Sequence, residues 1–541
     1  MVWACAALTL AVLAIGLPDD GFFVGDSGVK LIAVRNALAH PFRPFDIDLP
    51  AIGGVPAPDL LDPFFVAHGD HAHAETSPIF PLISAPFFAL FGLRGLQILP
   101  IAGFLGALAG VALMGRRLGD QTPVAATIAF GLVASPLLFY GLEFWEHAVA
   151  AALAYLGTAL FVTAPRSGAR LLLGGVLLGA AVLTRPEALW YLVALFAAAR
   201  ALAMPVRPLE MLIAAAGAAL MLAPFAAANA VHFHDFLGPH IAANAGALEQ
   251  RWVETHAAIA REWFVPTAWP AAALIAIALV VRIATSRVIR AQRAAGLVVL
   301  LAAALLGAVA ARRGLPRESL WAVFPAALVL WVPIGPTAGD AQRSARRFLI
   351  WLIVLDVALV VLTSPNDGGG QWGPRYLMIA SGPATLAVWL QLRRIVLERR
   401  TLEVFAAGCV IATSALVQRQ AYKELRAAKQ HYSRVQQALF AETRDRLVLT
   451  DVWWLDQISA AHSPAPVFLF AADSAKLADA IRRLEAAHVQ SFAIVSGHAG
   501  LAAPAIDHWL EGSGFHVERR QDLPGTSLTI YRVDAAGPRP R

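Results

Sequence analysis

Apolar runs recur along this chain at close intervals, and short Arg-bearing segments separate most of them. Each run is about 15–20 residues long, near the length an α-helix needs to cross the hydrocarbon of a bilayer. There every backbone N–H and C=O must find its partner within the protein. Composition leaves little room for a soluble alternative: hydrophobic residues are 58% of the 541, and charged residues only 15%. The net charge of +6 arises from Arg residues scattered between apolar runs, a pattern that excludes a nucleic-acid partner and points to a lipid bilayer. Cys5 and Cys409 both lie in apolar runs, so no disulfide framework is expected. The expected fold class is an all-α polytopic membrane protein of about 13 transmembrane helices.

The expected spans lie near 2–17, 96–114, 123–142, 148–163, 171–184, 188–203, 211–231, 268–282, 295–311, 320–334, 348–363, 377–392 and 404–417. The first reads as a retained anchor, because it lacks a basic leading segment and a small-residue cleavage site before Asp19. With the N-terminus inside, the inside loops carry Arg116 and Arg117, Arg200 and Arg207, Arg343 with Arg346 and Arg347, and Arg393 with Arg394. That is the positive-inside pattern, and an odd number of spans then puts the C-terminal tail outside. Two domains follow: a transmembrane domain, 1–417, whose long first outside loop (18–95) holds interfacial helices, and an outside domain, 418–541. In the tail, strand-like segments at 447–449, 467–470, 492–495 and 528–531 alternate with helical ones at 422–440, 476–487 and 505–510. A small α/β domain is expected there. It has no glycine-rich phosphate loop and no Cys/His cluster, so no chemistry is assigned to it.

Polar residues gather in the outside segments. GDSGVKLIAVRNALAH (25–40) starts with Asp26 and continues as an amphipathic pattern, which predicts a helix in the outer interface. Asp26 is either a functional acid or a helix cap, and Asp19 and Asp20 precede it. In HGDHAHAE (68–75), His68, Asp70, His71, His73 and Glu75 are donors a divalent metal accepts, but their spacing matches no strong metal motif and a solvated His-rich loop explains them better. No metal or other cofactor is required by the pattern. Prolines 78, 81 and 86 make the apolar stretch that follows a broken or re-entrant helix. YGLEFWEHA (140–148) places Glu143, Glu146 and His147 within about one helical turn at the membrane edge, where charge is costly and commonly functional. Arg185 and Glu187 flank Pro186 at a similar corner, positioned to pair with each other. Arg312, Arg313 and Arg317 lie in one short outside loop against the positive-inside pattern, so anion binding is the expected reason. GGGQWGPRYL (368–377) sets Arg375, between Trp372 and Tyr376, just after a glycine-rich turn that lets backbone approach an anion. Asp356 lies mid-span, as a packed helix contact or a proton-relay carboxylate.

Taken in order, GDSGVKL, SPIFPLISAP, LFYGLEFWEHA, VLTRPEAL and QWGPRYL resemble the GT-C superfamily of membrane glycosyltransferases. The resemblance is nearest to the bacterial relatives of protein O-mannosyltransferases and of the lipid A aminoarabinose transferase, and it covers roughly residues 4–417. It implies a multi-pass enzyme of the bacterial cytoplasmic membrane with its tail on the periplasmic side. Such an enzyme moves a sugar from a polyprenyl-phosphate donor to a glycan, lipid or protein acceptor on the outer face. Carried over, Asp26 is the base, with Asp19 or Asp20 as alternatives, and Glu143 or Glu146 is a second acid. Arg375 holds the donor phosphate, with Arg312, Arg313 and Arg317 as further cations, while His147, Arg185, Glu187, Trp372 and Tyr376 support them. The chemistry suits the residue types, since displacing a lipid phosphate needs a carboxylate for the acceptor proton and cations for the leaving group. The rival class is a non-catalytic transporter or flippase of lipid-linked sugars. Transporters place their ionisable groups near the bilayer midplane, whereas here they crowd the outer side, Asp356 excepted.

Overall fold

A computed structural model of the chain describes residues 1–541 apart from 120–122, 164–166, 201–205, 239–251, 266–268, 285–288, 313–315, 333–339, 370, 398–400, 444–446, 463–465, 498–505, 507–508, 511–512, 524 and 536–541. Two units emerge, one comprising Met1–Gly16 with Gln97–Leu425, the other Leu17–Leu96 with Arg426–Arg541.

The first unit is helical. Its apolar helices include Ile98–Arg117, His147–Phe161, Gly168–Thr184, Ala188–Ala198, Pro208–Phe233, Ile289–Ala311, Asp340–Thr363 and Ser381–Leu397. Small residues let them approach. A Cβ on Gly175 would lie 1.9 Å from the Ala214 carbonyl oxygen, and one on Gly179 would lie 2.7 Å from that of Ala218. Two small residues four apart on one helix thus meet two small residues four apart on the next, the arrangement that drives association where lipid removes the hydrophobic incentive.

Among the described residues, four helical runs are long and apolar enough to cross a membrane: Ile79–Arg117, Pro208–Phe233, Ala294–Ala311 and Thr401–Thr443. The count of about thirteen expected spans is therefore not reproduced by length and composition together. Several expected spans are shorter helices, among them Val2–Ile15 and His147–Phe161. Others are broken by proline. The expected 123–142 span divides into Val124–Ala134 and Leu137–Tyr140 around Pro136. The 320–334 span becomes a single turn, Leu320–Val323, and a 3-10 helix, Pro325–Trp331. Proline supplies no N–H and clashes with the preceding turn, so the helix stops before it.

The second unit joins the first long loop to the tail. Strands β1 (Ile47–Asp48), β5 (His71–Ala74) and β4 (Phe65–His68) form one small sheet in that order, and β2 (Ala51–Ile52) pairs with β3 (Val55–Pro56). The tail forms a five-stranded sheet from β6 (Leu447–Thr450), β7 (Val467–Phe470), β8 (Ser491–Gly497), β9 (Phe515–Asp522) and β10 (Leu528–Ala535), ordered β7-β6-β8-β10-β9. β6 runs parallel to β7 and β8, while β10 runs antiparallel to β8 and β9. Helix Ser474–Ala486, capped by Asp473 accepting from Lys476 N–H at 2.9 Å, buries Leu477, Ile481 and Leu484 on that sheet. Ile52, Ala57 and Leu60 of the first loop pack into the same core as Leu449, Leu469 and Ile494. At its rim, Arg483 pairs with Asp59 at 2.9 Å.

The GDSGVKL segment forms the expected helix, Asp26–Ala39, and much of it is buried. Val29, Leu31 and Val34 are buried, and so is Lys30 at 2% exposure. The glycines explain how it gets so close to its neighbour. A Cβ on Gly28 would sit 1.7 Å from the Gln457 carbonyl oxygen, inside the short helix Leu455–Ser459. We therefore expect Gly28→Ala to cost about 1–3 kcal/mol, the scale of forced overpacking, and to loosen the turn that carries Asp26. Thermal unfolding together with limited proteolysis of the first loop checks this. An unchanged melting temperature and cleavage pattern would mean that the helices are not in contact.

Candidate active site

In the first unit the chain turns through Leu137–Tyr140, Gly141 and the following acids before starting helix His147–Phe161. Glu143 is fully buried, Glu146 is the residue before the helix, and His147 is 1% exposed. Arg185 closes helix Gly168–Thr184 in an extended conformation (φ −142°, ψ 116°), as a residue before proline must. Its guanidinium then spans three side chains. Nη1 donates to Glu146 Oε1 at 2.7 Å, Nη2 to Glu187 Oε1 at 2.7 Å, and Nε to Glu187 Oε2 at 3.2 Å. His147 Nδ1 lies 3.4 Å from Nη1. The corner pair read from Arg185-Pro186-Glu187 is present, and Glu146 joins it.

Arg375 begins a 3-10 turn, Arg375–Leu377, after Pro374. Its guanidinium lies 5.3 Å from the Tyr376 ring centroid, and that of Arg185 lies 5.8 Å from the same ring. Two cations thus approach one aromatic ring, with Tyr376 held by its hydroxyl donating to Asn366 Oδ1 at 3.0 Å. The two guanidinium groups are near enough for Arg375 to repel Arg185. Trp372 is 4% exposed and stacks on Phe139 at 6.0 Å, and Trp145 is fully buried, so neither is a surface belt residue. Tyr140, which sequence reasoning passed over, stacks on His147 at 4.4 Å and donates its hydroxyl to the Trp372 carbonyl at 2.7 Å. Arg317 reaches this region through its backbone, its carbonyl accepting from Gly373 N–H at 2.7 Å, while its side chain pairs with Glu318 at 3.1 Å. Among the described residues, Arg312 takes no part in the hydrogen bonds or ion pairs of this group, and Arg313 lies outside those residues. Asp356 is buried in helix Asp340–Thr363, and neither carboxyl oxygen finds a hydrogen-bond partner among the described residues.

Asp26 belongs to the second unit and is the first residue of helix Asp26–Ala39, where an acid favours the exposed N–H groups. Its two rivals have structural partners. Asp19 pairs with Arg94 at 3.1 Å, and Asp20 Oδ2 accepts from Ser433 and Gln437, both at 2.9 Å. The His-rich segment is the β4–β5 hairpin. There His71 Nε2 lies 2.7 Å from Arg43 Nη1 and 3.1 Å from Asp70, and His73 Nδ1 lies 3.1 Å from the Phe45 carbonyl oxygen.

The same unit contains a carboxyl pair whose members are far apart in the chain. Asp62 accepts from Gln457 Nε2 at 3.0 and 3.2 Å and from Phe64 N–H at 2.7 Å, and it hydrogen-bonds Asp456. Two carboxyl groups can bond only through a proton. Burial, reinforced by the neighbouring Asp62, pushes Asp456 well above the usual carboxylate range, so the proton resides there. Glu75 is also raised, first by burial and then by Asp62. A carboxyl whose folded pKa is raised stabilises fully below the unfolded value of about 4, and that stability is lost as pH rises through the folded value. The melting temperature should accordingly fall as pH rises above the unfolded carboxylate range of about 4. Asp456→Asn, which still donates to Asp62 but cannot titrate, should flatten that slope. An identical slope in the variant would place the titration elsewhere.

No protein-family model and no curated protein matches this sequence. Solved structures do match its fold. ArnT from Cupriavidus metallidurans bound to undecaprenyl phosphate aligns with a TM-score of 0.54 and 13% identity, over 98% of this chain and 97% of that one. The chain shares its fold with that protein. Archaeal oligosaccharyltransferase AglB from Archaeoglobus fulgidus, in complex with an inhibitory peptide and a dolichol-phosphate, aligns with a TM-score of 0.49 and 15% identity, over 95% of this chain and 71% of that one. The motifs that suggested the GT-C resemblance fall in both units, GDSGVKL in the second and LFYGLEFWEHA, VLTRPEAL and QWGPRYL in the first.

Proposed function

We propose that the protein is a GT-C glycosyltransferase of the bacterial cytoplasmic membrane. It would move a sugar from a polyprenyl-phosphate donor to an acceptor hydroxyl on the outer face, with the tail on the periplasmic side. The observation that carries this reading is the pairing of two guanidinium groups, Arg185 and Arg375, around Tyr376. Glu146 and Glu187 neutralise Arg185. The charge of Arg375 is assigned to the donor phosphate, in keeping with a fold shared by a protein bound to undecaprenyl phosphate. In the reaction the acceptor oxygen attacks the anomeric carbon. The carbon–oxygen bond to phosphate breaks with its electron pair staying on the phosphate, and the acceptor proton passes to a carboxylate, assigned to Asp26. Glu143 and Glu146 are the secondary acids of the proposal.

Arg375→Ala should weaken binding of undecaprenyl phosphate to the purified protein by about 2–3 kcal/mol, the scale of a lost charge-assisted contact. Arg375→Lys should recover only part of this, because a point charge cannot reproduce the guanidinium fork. Equal binding by both variants and the parent would move the phosphate site away from Arg375. In liposomes, release of polyprenyl phosphate on adding acceptor supports transfer, whereas passage of intact donor across the bilayer without release would make the protein a transporter.

A further inference from the structure

Arg375 lies in a stretch with little regular structure. Between helices Asp340–Thr363 and Ser381–Leu397 the chain passes through Gly368, Gly369 and Gly373, all at positive φ, and makes one 3-10 turn among the described residues. Its internal hydrogen bonds are short-range turn contacts, such as Leu377 N–H to the Pro374 carbonyl and Met378 N–H to the Arg375 carbonyl, so contacts from elsewhere are what anchor it to the helices. Two buried tyrosines supply them. Tyr140 donates to the carbonyl of Trp372, three residues before Arg375, at 2.7 Å. The hydroxyl of Tyr155 lies 3.1 Å from the Met378 carbonyl oxygen and 2.9 Å from that of Ile379, three and four residues after Arg375, and accepts from Gly382 N–H at 2.8 Å. Both tyrosines are fully buried. Each is itself fixed: Tyr140 stacks on His147 at 4.4 Å and Trp145 at 5.5 Å, and Tyr155 sits on helix His147–Phe161. The chain fits closely around the second contact, since a Cβ on Gly382 would lie 2.2 Å from the Tyr155 ring.

We propose that Tyr140 and Tyr155 are positioning residues that grip the backbone on either side of Arg375 and so preset its guanidinium for the donor phosphate. This rests on the reading of Arg375 as the phosphate ligand. A buried tyrosine that merely satisfies a stray carbonyl would have no reason to be matched by a second one the same distance along the chain. Because neither tyrosine is assigned contact with donor or acceptor, the effect should appear in donor affinity and not in turnover.

The test uses the full chain, with undecaprenyl phosphate as the binding probe and polyprenyl-phosphate sugar as the transfer substrate. Tyr140→Phe and Tyr155→Phe keep the ring and remove only the hydroxyl. Each should weaken lipid-phosphate binding roughly 3–10-fold, the scale of losing a buried hydrogen-bonding hydroxyl, and raise the donor KM in step while kcat stays within about twofold. In an Arg375→Ala background the same changes should have no further effect on binding, because the group they position is gone. If Tyr→Phe weakens binding by the same factor with and without Arg375, the tyrosines act on the fold alone and the proposal fails. Failure also follows if Arg375→Ala abolishes tight binding while both Tyr→Phe variants bind like the parent. If Arg375→Ala itself leaves binding unchanged, the phosphate reading falls and takes this inference with it. Should Tyr155→Phe not fold, Tyr140→Phe, which orphans a single carbonyl, decides the matter.

Discussion

Replacing Asp26 by asparagine should leave lipid-phosphate binding intact and slow sugar transfer by about 100-fold or more, the effect of losing a general base. Asparagine has the same shape and still suits a helix start, so Gly25, Gly28 and the helix that follows need not move. What disappears is the capacity to take a proton. The same change at Asp19 should cost an ion pair with Arg94, and at Asp20 the contacts with Ser433 and Gln437, with transfer much less affected. Turnover rates for the three variants, alongside binding of undecaprenyl phosphate, separate these outcomes. Near-normal turnover in Asp26→Asn and a collapse in one of the others would shift the base by six or seven residues along the loop (26 − 20 and 26 − 19). If all three variants turn over normally, no acid in this loop is the base.

The largest loss of stability is expected from Arg185→Ala. Arg185 is 7% exposed and satisfies Glu146 on one side and Glu187 on the other. Removing one partner of a buried ion pair costs about 3–5 kcal/mol, because the remaining charge is left without compensation. Here two carboxylates lose their counter-ion at once. Thermal unfolding in detergent should show a fall of several degrees that Arg185→Lys repairs incompletely, since an ammonium group cannot make the bidentate contact with Glu187. The double variant Arg185→Ala, Glu146→Gln should lose less than the two single changes added together. A melting temperature for Arg185→Ala equal to that of the parent would mean that the three groups are solvated and unpaired.

Local chemistry made part of this site readable from sequence. Arg185, Pro186 and Glu187 are neighbours, proline dictates the extended backbone, and an arginine two residues from a glutamate finds it. Likewise Arg375 follows a run of glycines and a proline, which mark irregular backbone near charge. The links that depend on distant pairing were not readable. Gln457 binds Asp62 across 395 positions, and Tyr140 reaches the Trp372 carbonyl across 232. Neither a tyrosine in LFYGLEF nor a glutamine in WLDQIS announces its partner. The tail strands at β6, β7, β8 and β10 are apolar and were expected, whereas β9, FHVERRQD, was missed. Among the described residues it pairs only with β10 and carries charges on an exposed edge, where charge blunts unwanted pairing but hides the strand pattern. The predicted spans failed where proline interrupted them, at Pro136 and Pro325, because an average of apolarity does not register a missing N–H.

The second unit is assembled from two stretches of chain separated by the 329 residues Gln97–Leu425, and this has a consequence for how the protein is made. At a ribosomal pace of roughly 5–20 residues per second, the first stretch waits about 15–65 seconds before its partner is synthesised. During that interval Ile52, Ala57 and Leu60 have no sheet to cover them, and the helix bearing Asp26 has no Gln457 to lie against. Chaperones and proteases therefore have their best access to residues 17–96 before the last fifth of the chain emerges. A nascent chain stalled short of β6 would carry its proposed base on an unsupported helix, so transfer activity should appear only with completed synthesis.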